Sequence, residues 1–368
     1  MVRLGARLPF AQVASEMALL FGVSVSADTV RRLTEEAGAI QVRIEQREVE
    51  RLEHEAPDEP AGARIQQVSA DGAMVPVVGG SWMEVRTVAI GALEPGGDET
   101  LAAQALSYFS RCCPADQFIR QATLPTHERG TRSADTVVAV MDGAPWLQEL
   151  IDEQCPAAVR ILDFAHAASY LRAAAQATFG LGSREATLWL DEWVPALKRG
   201  EAEAVLAAIR RLPGAGTEVA TAKGTASRYL GSRLEQMRYA TFQQQGLPIG
   251  SGIVESAGKL VVEARLKGSG MHWSVRQLNP ILALRGRLCS GQWTETWPGI
   301  ARTWRVQVRA RQREARRTRQ TERERLRAKQ PAPRHKPAPT SEQPKTVIDG
   351  RPTKDHVWKR YPAVASSS

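Results

Sequence analysis

From Ile65 to Leu162 the chain carries short apolar runs with the repeat of extended strands, and beyond residue 164 that pattern does not return. Any sheet must therefore be completed within this stretch, because only a repeat of two keeps one face of a strand buried. Ile65 to Ala70 and Glu84 to Leu93 read as strands, the second preceded by a Gly79-Gly80 turn. Leu101 to Phe109 reads as helix, and Thr136 to Met141 and Ala158 to Leu162 read as short buried strands separated by a helix that opens at Pro145. Strands in a run and then alternating with helices indicate a mixed α/β sheet. Residues 164 to 245 are rich in Ala, Leu, Arg and Glu, with Trp189 and Trp193 on one face, which predicts an all-helical insertion. Leu247 to Gly252 then leads into a helix expected from Ile253 to Leu266, with Glu255 near its start.

Ahead of the sheet, Phe10, Val13, Met17, Leu20 and Phe21 share one helical face, Gly22 breaks the pattern, and Ser26 caps a second helix expected from Ala27 to Ala37. This is the outline of a helix-turn-helix. Val30 and Leu33 are expected to face inward, leaving Arg31 and Arg32 outward to meet DNA. A charged connecting helix is expected from Ile40 to Glu55, ended by the Pro57 to Gly62 stretch. The net charge is +9 over 368 residues, yet residues 301–340 hold 14 Lys or Arg against three acids, so the rest of the chain is slightly acidic. A basic segment this concentrated is suited to a polyanion, because each Lys or Arg that neutralises a phosphate releases counterions. Beyond Pro331 the sequence is rich in Pro, Lys, Ser and Thr and is expected to be disordered.

The expected organisation is a helix-turn-helix-like segment at 1–38, a connecting helix and linker at 39–61, and the first part of the core at 62–180. The helical insertion at 181–245, the glutamate helix and end of the core at 246–297, a basic helix at 298–330 and a disordered tail at 331–368 follow. No apolar run approaches the roughly 20 residues needed to span a bilayer, and no signal-peptide pattern opens the chain. A cytoplasmic location without membrane partners is therefore expected. The four cysteines, Cys112, Cys113, Cys155 and Cys289, have neither disulfide-framework nor zinc-site spacing, and no phosphate-binding Gly-x-x-x-x-Gly-Lys loop marks a nucleotide cofactor.

Two acids stand at expected strand ends, Asp71 in Ser69-Ala70-Asp71-Gly72 and Asp142 in Met141-Asp142-Gly143-Ala144-Pro145-Trp146. If their strands are neighbours, the two carboxylates meet at one sheet edge, and Glu255 at the head of a later helix has the reach to join them. Clustered carboxylates repel unless a hard cation lies between them, which makes Asp71, Asp142 and Glu255 candidate ligands for Mg²⁺ or Mn²⁺. Two such ions suit phosphodiester cleavage. Asp163 also ends a strand and is the alternative to Asp142, and His166, three residues on, is read as near the site without being a metal ligand.

The segment Ile249-Gly250-Ser251-Gly252-Ile253-Val254-Glu255-Ser256, continued by Arg265 to Ser274, resembles the ISKra4-family bacterial insertion-sequence transposases, relatives of the Mutator superfamily. The likeness runs from about Ile65 to Trp273 and includes Asp163-Phe164-Ala165-His166, which matches the Asp/Cys-x-x-His signature of that group. It implies an RNase H-like core, a catalytic triad of Asp71, Asp142 and Glu255 with two metal ions, and cleavage of transposon ends followed by joining of the freed 3′-OH to target DNA. It also implies terminal inverted repeats as partners, assembly as a dimer or larger on paired ends, and a bacterial, nucleoid-associated setting. Relatives of this kind carry a longer region ahead of the core, so this chain is expected to be shortened there. Lys259, Arg265 and Lys267 are expected to neutralise DNA phosphates, and Trp273 or Trp82 to stack on an unpaired base. Two alternatives remain: a DNA-binding regulator without catalysis, and an RNase H-superfamily nuclease without strand transfer.

Overall fold

The computed structural model of the chain describes residues 1–96, 101–214, 216–268, 270–329, 347–354 and 356. Two units divide it, Met1–Gln307 and Val308–Ser368.

The first unit begins with a short helix α1 (Val2–Gly5), then α2 (Phe10–Phe21) and α3 (Ala27–Glu55). Gly22 ends α2 in the left-handed region at φ +62°, and the Ser26 hydroxyl accepts the Thr29 N–H, so the turn between the helices forms as its residues dictate. The second helix does not stop at Ala37. It continues through the expected boundary at residue 38, and the connecting helix is its C-terminal half. Gly38 has the look of a helix stop; instead the Pro280 carbonyl occupies the space its Cβ would need. The glycine serves a close helix crossing, and α3 packs along α14 (Val275–Cys289) through Ala37, Ile40, Leu284 and Leu288.

The sheet starts with β1 (Ile65–Pro76), which turns at Gly79 and Gly80, both with positive φ, into antiparallel β2 (Trp82–Pro95). β3 (Leu101–Arg111) replaces the helix expected there. Its Leu and Ala residues are good helix formers, but pairing with β2 satisfies the backbone and buries Ser107 to Arg111, a tertiary gain that outweighs local propensity. A bulge opposite Ile90 to Ala92, with Ala105 at φ +47°, breaks the strand's alternation and with it the sequence signal. After α4 (Ala115–Gln121) and α5 (Thr123–Glu128) come β4 (Thr136–Met141), α6 (Pro145–Gln154) and β5 (Val159–Leu162). β4 lies parallel to both β1 and β5, giving a mixed five-stranded sheet in the order β3-β2-β1-β4-β5.

One face of the sheet, with Val68, Ala70, Val88, Ala139 and Met141, is covered by α4 and α6 through Phe118, Ile119, Leu147 and Ile151. The opposite face carries two separate hydrophobic cores. Over β4 and β5 lie α7 (Phe164–Phe179), α8 (Arg184–Lys198), α9 (Ala202–Arg211), α10 (Thr217–Gly231) and α11 (Tyr239–Gln244), the expected all-helical stretch. Over β1 and β2 lie α12 (Gly252–Ala257), a π-helical turn (Gly258–Glu263), α13 (Ala264–Leu266) and α14. The π turn leaves backbone carbonyls out of α-helical register, and buried Arg285 donates to those of Leu260 and Val261. α15 (Trp293–Lys329) begins in this unit with Trp293 and Trp297 stacked 5.7 Å apart.

In the second unit the described part is the arginine-rich remainder of α15, exposed wherever burial is described, and a minimal antiparallel pair of β6 (Val347–Ile348) and β7 (Arg351–Pro352). That pair lies within the segment expected to be disordered; residues 330–346 and 357–368 lie outside the described residues. All four cysteines are free. Among the described residues no helix is long and apolar enough to cross a membrane.

Candidate active site

β1 and β4 pair in parallel from Ile65↔Thr136 to Val68↔Ala139. The pairing ends there, and Asp71 and Asp142 each lie three residues beyond its last pair, at the same end of the sheet. By alternation both acids belong to the face that carries the two cores, because Gln67, Ser69 and Asp71 follow one another at a spacing of two and Gln67 pairs with Val138. Asp71 does not follow β1 as its Asp-Gly sequence suggested. It lies inside the strand, paired with Thr87, at the point where β1 has left β4 and continues only with β2. The long β1–β2 ribbon, with eleven paired positions, holds it there more rigidly than a turn would.

The Asp71 side chain is solvent-exposed, and one oxygen accepts its neighbour Gly72 N–H at 2.7 Å. Its pKa is nonetheless raised from the ordinary value, first by partial withdrawal from water and then by the negative charges of Asp142 and Glu255, with the Gly72 N–H and His166 opposing the rise. Asp142 and Glu255 thus each act on Asp71. The three acids are not drawn tightly together: among the described residues no group of three Asp, Glu, His or Cys is close enough to hold a metal ion.

Asp142 is half-buried just past β4, where its Oδ1 accepts the Ala144 N–H at 2.9 Å and Gly143 turns the chain at φ +76°. Asp163 has a different task. It is buried at 5% exposure, its Oδ1 caps α7 by accepting the His166 N–H, and its Oδ2 accepts the Ser251 N–H, both at 2.7 Å. With both oxygens engaged by backbone donors, it ties the glutamate loop to the end of β5. Gln67 reinforces this tie toward the Gly250 carbonyl at 3.4 Å, and the Phe164 N–H donates to the Ile249 carbonyl at 2.9 Å. Glu255 then falls in the first turn of α12, exposed to solvent.

The His166 ring packs against Tyr170 at 5.4 Å and Tyr229 at 5.7 Å rather than against Asp163. Tyr170 and Tyr229 stack at 4.1 Å, and the Arg233 guanidinium lies 4.0 Å over Tyr229. Nothing in the sequence singles out these tyrosines or Arg233, and Gln67 only weakly. A Gln inside an apolar strand is the one available signal, whereas the aromatic column is assembled from two helices about sixty residues apart and leaves no local pattern.

The expected DNA contacts divide by exposure. Lys259 and Lys267 are exposed, the latter paired with Glu263 at 2.9 Å, and Arg32 is exposed on α3. Arg31 is half-buried and bridges Asp28 at 2.5 Å and Glu35 at 3.0 Å, so its charge is largely compensated. Arg265 and Trp273 depart from expectation. Arg265 is 2% exposed, with its guanidinium near the rings of Phe10 (4.5 Å) and Trp273 (4.9 Å), and its Nε donates to the Gly5 carbonyl. Burial beside Arg285 brings its pKa down to about 10. Trp273 is 6% exposed and its indole N–H donates to the Leu266 carbonyl, so neither side chain offers the surface a DNA contact needs. Their aromatic and cationic groups pack α1 and α2 onto the end of the glutamate helix. Trp82 remains 56% exposed.

No family model matches the chain, and no curated protein matches it.

Proposed function

We propose that the chain is a DDE-type transposase of the ISKra4 kind, built on an RNase H-like core, that cleaves transposon-end DNA and joins the freed 3′-OH to target DNA. The observation that carries this reading is that Asp71 and Asp142 lie equally far beyond the parallel pairing of β1 with β4, with the charge of Glu255 reaching Asp71. The mixed five-stranded sheet in the order β3-β2-β1-β4-β5, with β2 antiparallel to β1 and β3 and helices on both faces, supports this reading.

The donor set fits a hard divalent cation. Its side chains are carboxylates, and partial burial together with the charges of Asp142 and Glu255 holds the Asp71 pKa up. Asp71, Asp142 and Glu255 would hold Mg²⁺ or Mn²⁺, two ions in the proposed chemistry, which activate an attacking oxygen and stabilise a leaving one. The protein's own contributions are distinct. β1 and β4 carry two carboxylates to the same end of the sheet, Asp163 fixes the loop that delivers the third, and exposed Lys259 on the same helical run offers a positive charge to a DNA phosphate. The arginines of α15 supply a further polyanion-binding surface of their own. Paired transposon ends imply a dimer or larger assembly on DNA, in a bacterial cytoplasm at the nucleoid.

Purified protein, incubated in Mg²⁺ with duplex taken from the borders of its own gene, should nick one end and join it to a plasmid. Asp71→Ala and Glu255→Ala should each abolish nicking, a loss of at least about a thousandfold, while gel-shift affinity stays unchanged. Binding without nicking by the unaltered protein would instead favour a DNA-binding regulator, a reading consistent with the looseness of the acid group. Nicking without joining would leave an RNase H-superfamily nuclease.

A further inference from the structure

The turn that presents Asp142 is held from outside the sheet. Arg233, two residues past the end of α10, donates from Nη2 to the Gly143 carbonyl at 2.8 Å. Its Nη1 donates to the Tyr229 carbonyl and the Ser232 hydroxyl, each at 2.8 Å, so one guanidinium joins the last turn of α10 to the residue beside Asp142. Tyr229 completes the enclosure. A Cβ at Gly143 would fall 2.7 Å from Arg233 Nε and 2.9 Å from the Tyr229 hydroxyl, and Gly143 sits at φ +76°, so both space and conformation require glycine. The Tyr229 hydroxyl is buried with no hydrogen-bond partner, a placement that side-chain solvation alone would not select. Behind it, the stack through Tyr170 to His166 leads to the first turn of α7, whose cap is Asp163.

We propose that Arg233 and Tyr229 are positioning residues for Asp142, through which the helical insertion sets the direction of the second carboxylate. The proposal rests on the nuclease reading for its consequence in catalysis, but the restraint itself does not. Arg233 makes no ion pair among the described residues and spends its donors on carbonyls and a hydroxyl, which suits restraint of a backbone turn rather than charge neutralisation.

The test uses the full chain with Arg233→Met, Arg233→Lys and Tyr229→Phe. Hydrogen exchange of segment 142–146 reads the restraint directly, because the Ala144 amide is the donor to Asp142 Oδ1. Arg233→Met should exchange there about tenfold faster than the unaltered protein, with β1 and β5 unchanged, and Arg233→Lys about threefold faster. The Mg²⁺ concentration for half-maximal nicking should rise about tenfold in Arg233→Met with DNA affinity unchanged, and Arg233→Lys should restore part of it. Tyr229→Phe should keep the Arg233 hydrogen bonds and show a smaller change in both readouts. Should Arg233→Met fail to fold, Arg233→Lys carries the same comparison. Exchange in 142–146 equal to the unaltered protein in a folded Arg233 variant overturns the proposal. Absence of nicking by the unaltered protein overturns the nuclease reading alone, because exchange still decides the restraint.

Discussion

Partial burial, and then the charges of Asp142 and Glu255, raise the pKa of Asp71, and this has a consequence for stability as well as chemistry. Its pKa is higher in the folded chain than the ordinary 3.8, so the folded state binds the proton more tightly than the unfolded one. The stabilisation from that protonated form is complete below 3.8 and is lost as pH rises through the folded value. Above the folded value the charged side chain is therefore a local liability. Asp71→Asn should melt at a higher temperature than the unaltered protein at pH 7.5 without divalent ions, and the difference should close as the pH is brought below about 4. Calorimetry across that range checks it; an Asn variant that melts lower at pH 7.5 would contradict the raised pKa of Asp71. A short apolar run ended by Asp-Gly is a local signal that marks Asp142 at the end of β4, whereas at Asp71 the strand runs on because β2 pairs with it. The role of Asp163 is not legible in the same way. Its surroundings resemble those of Asp142, and only the fold brings the Ser251 amide to its second oxygen.

At the scale of elements, Asp163 is a joint between β5, α7 and the glutamate loop. Replacing it with Ala removes a helix cap and a charge-assisted hydrogen bond from a buried position, a combined cost of about 3 kcal/mol. The measurable outcome is a lower urea midpoint with an unchanged slope, together with faster exchange at Ser251. An Asp163→Ala protein as stable as the parent would show that the joint adds nothing to stability. Other elements show where local patterning succeeds and fails. β4, α6 and the hairpin at Gly79-Gly80 are readable because each is bounded by residues with one conformational preference. β3 is not, because its bulge scrambles the alternation and its Leu and Ala content favours helix until β2 is present. The length of α3 is hidden for a related reason: Gly38 looks like a stop in sequence, and only the neighbouring Pro280 reveals it as a crossing point.

For the whole molecule, the clearest legible property is charge. The segment from Val308 to Lys329 is helical with its described arginines exposed, so its contribution to DNA binding should be mostly ionic. Changing Arg309, Arg313, Arg316 and Arg317 together to Gln should weaken DNA binding and flatten the dependence of log affinity on log salt by about 0.9 for each phosphate no longer neutralised. Fluorescence anisotropy at several salt concentrations reads this directly, and an unchanged slope would place the DNA elsewhere. The arrangement of the first unit is only partly legible, because nothing local announces that the insertion and the glutamate helix share one face of the sheet as separate cores. Asp71 belongs by alternation to the strand face under the glutamate helix, and Asp142 follows the strand under the insertion. Oil-like packing is continuous within each block, whereas the junction carries the polar stitches of Asp163 to Ser251 and Gln67 to Gly250. The separation of the carboxylates is thus a gauge of how two greasy plates are seated on a common floor.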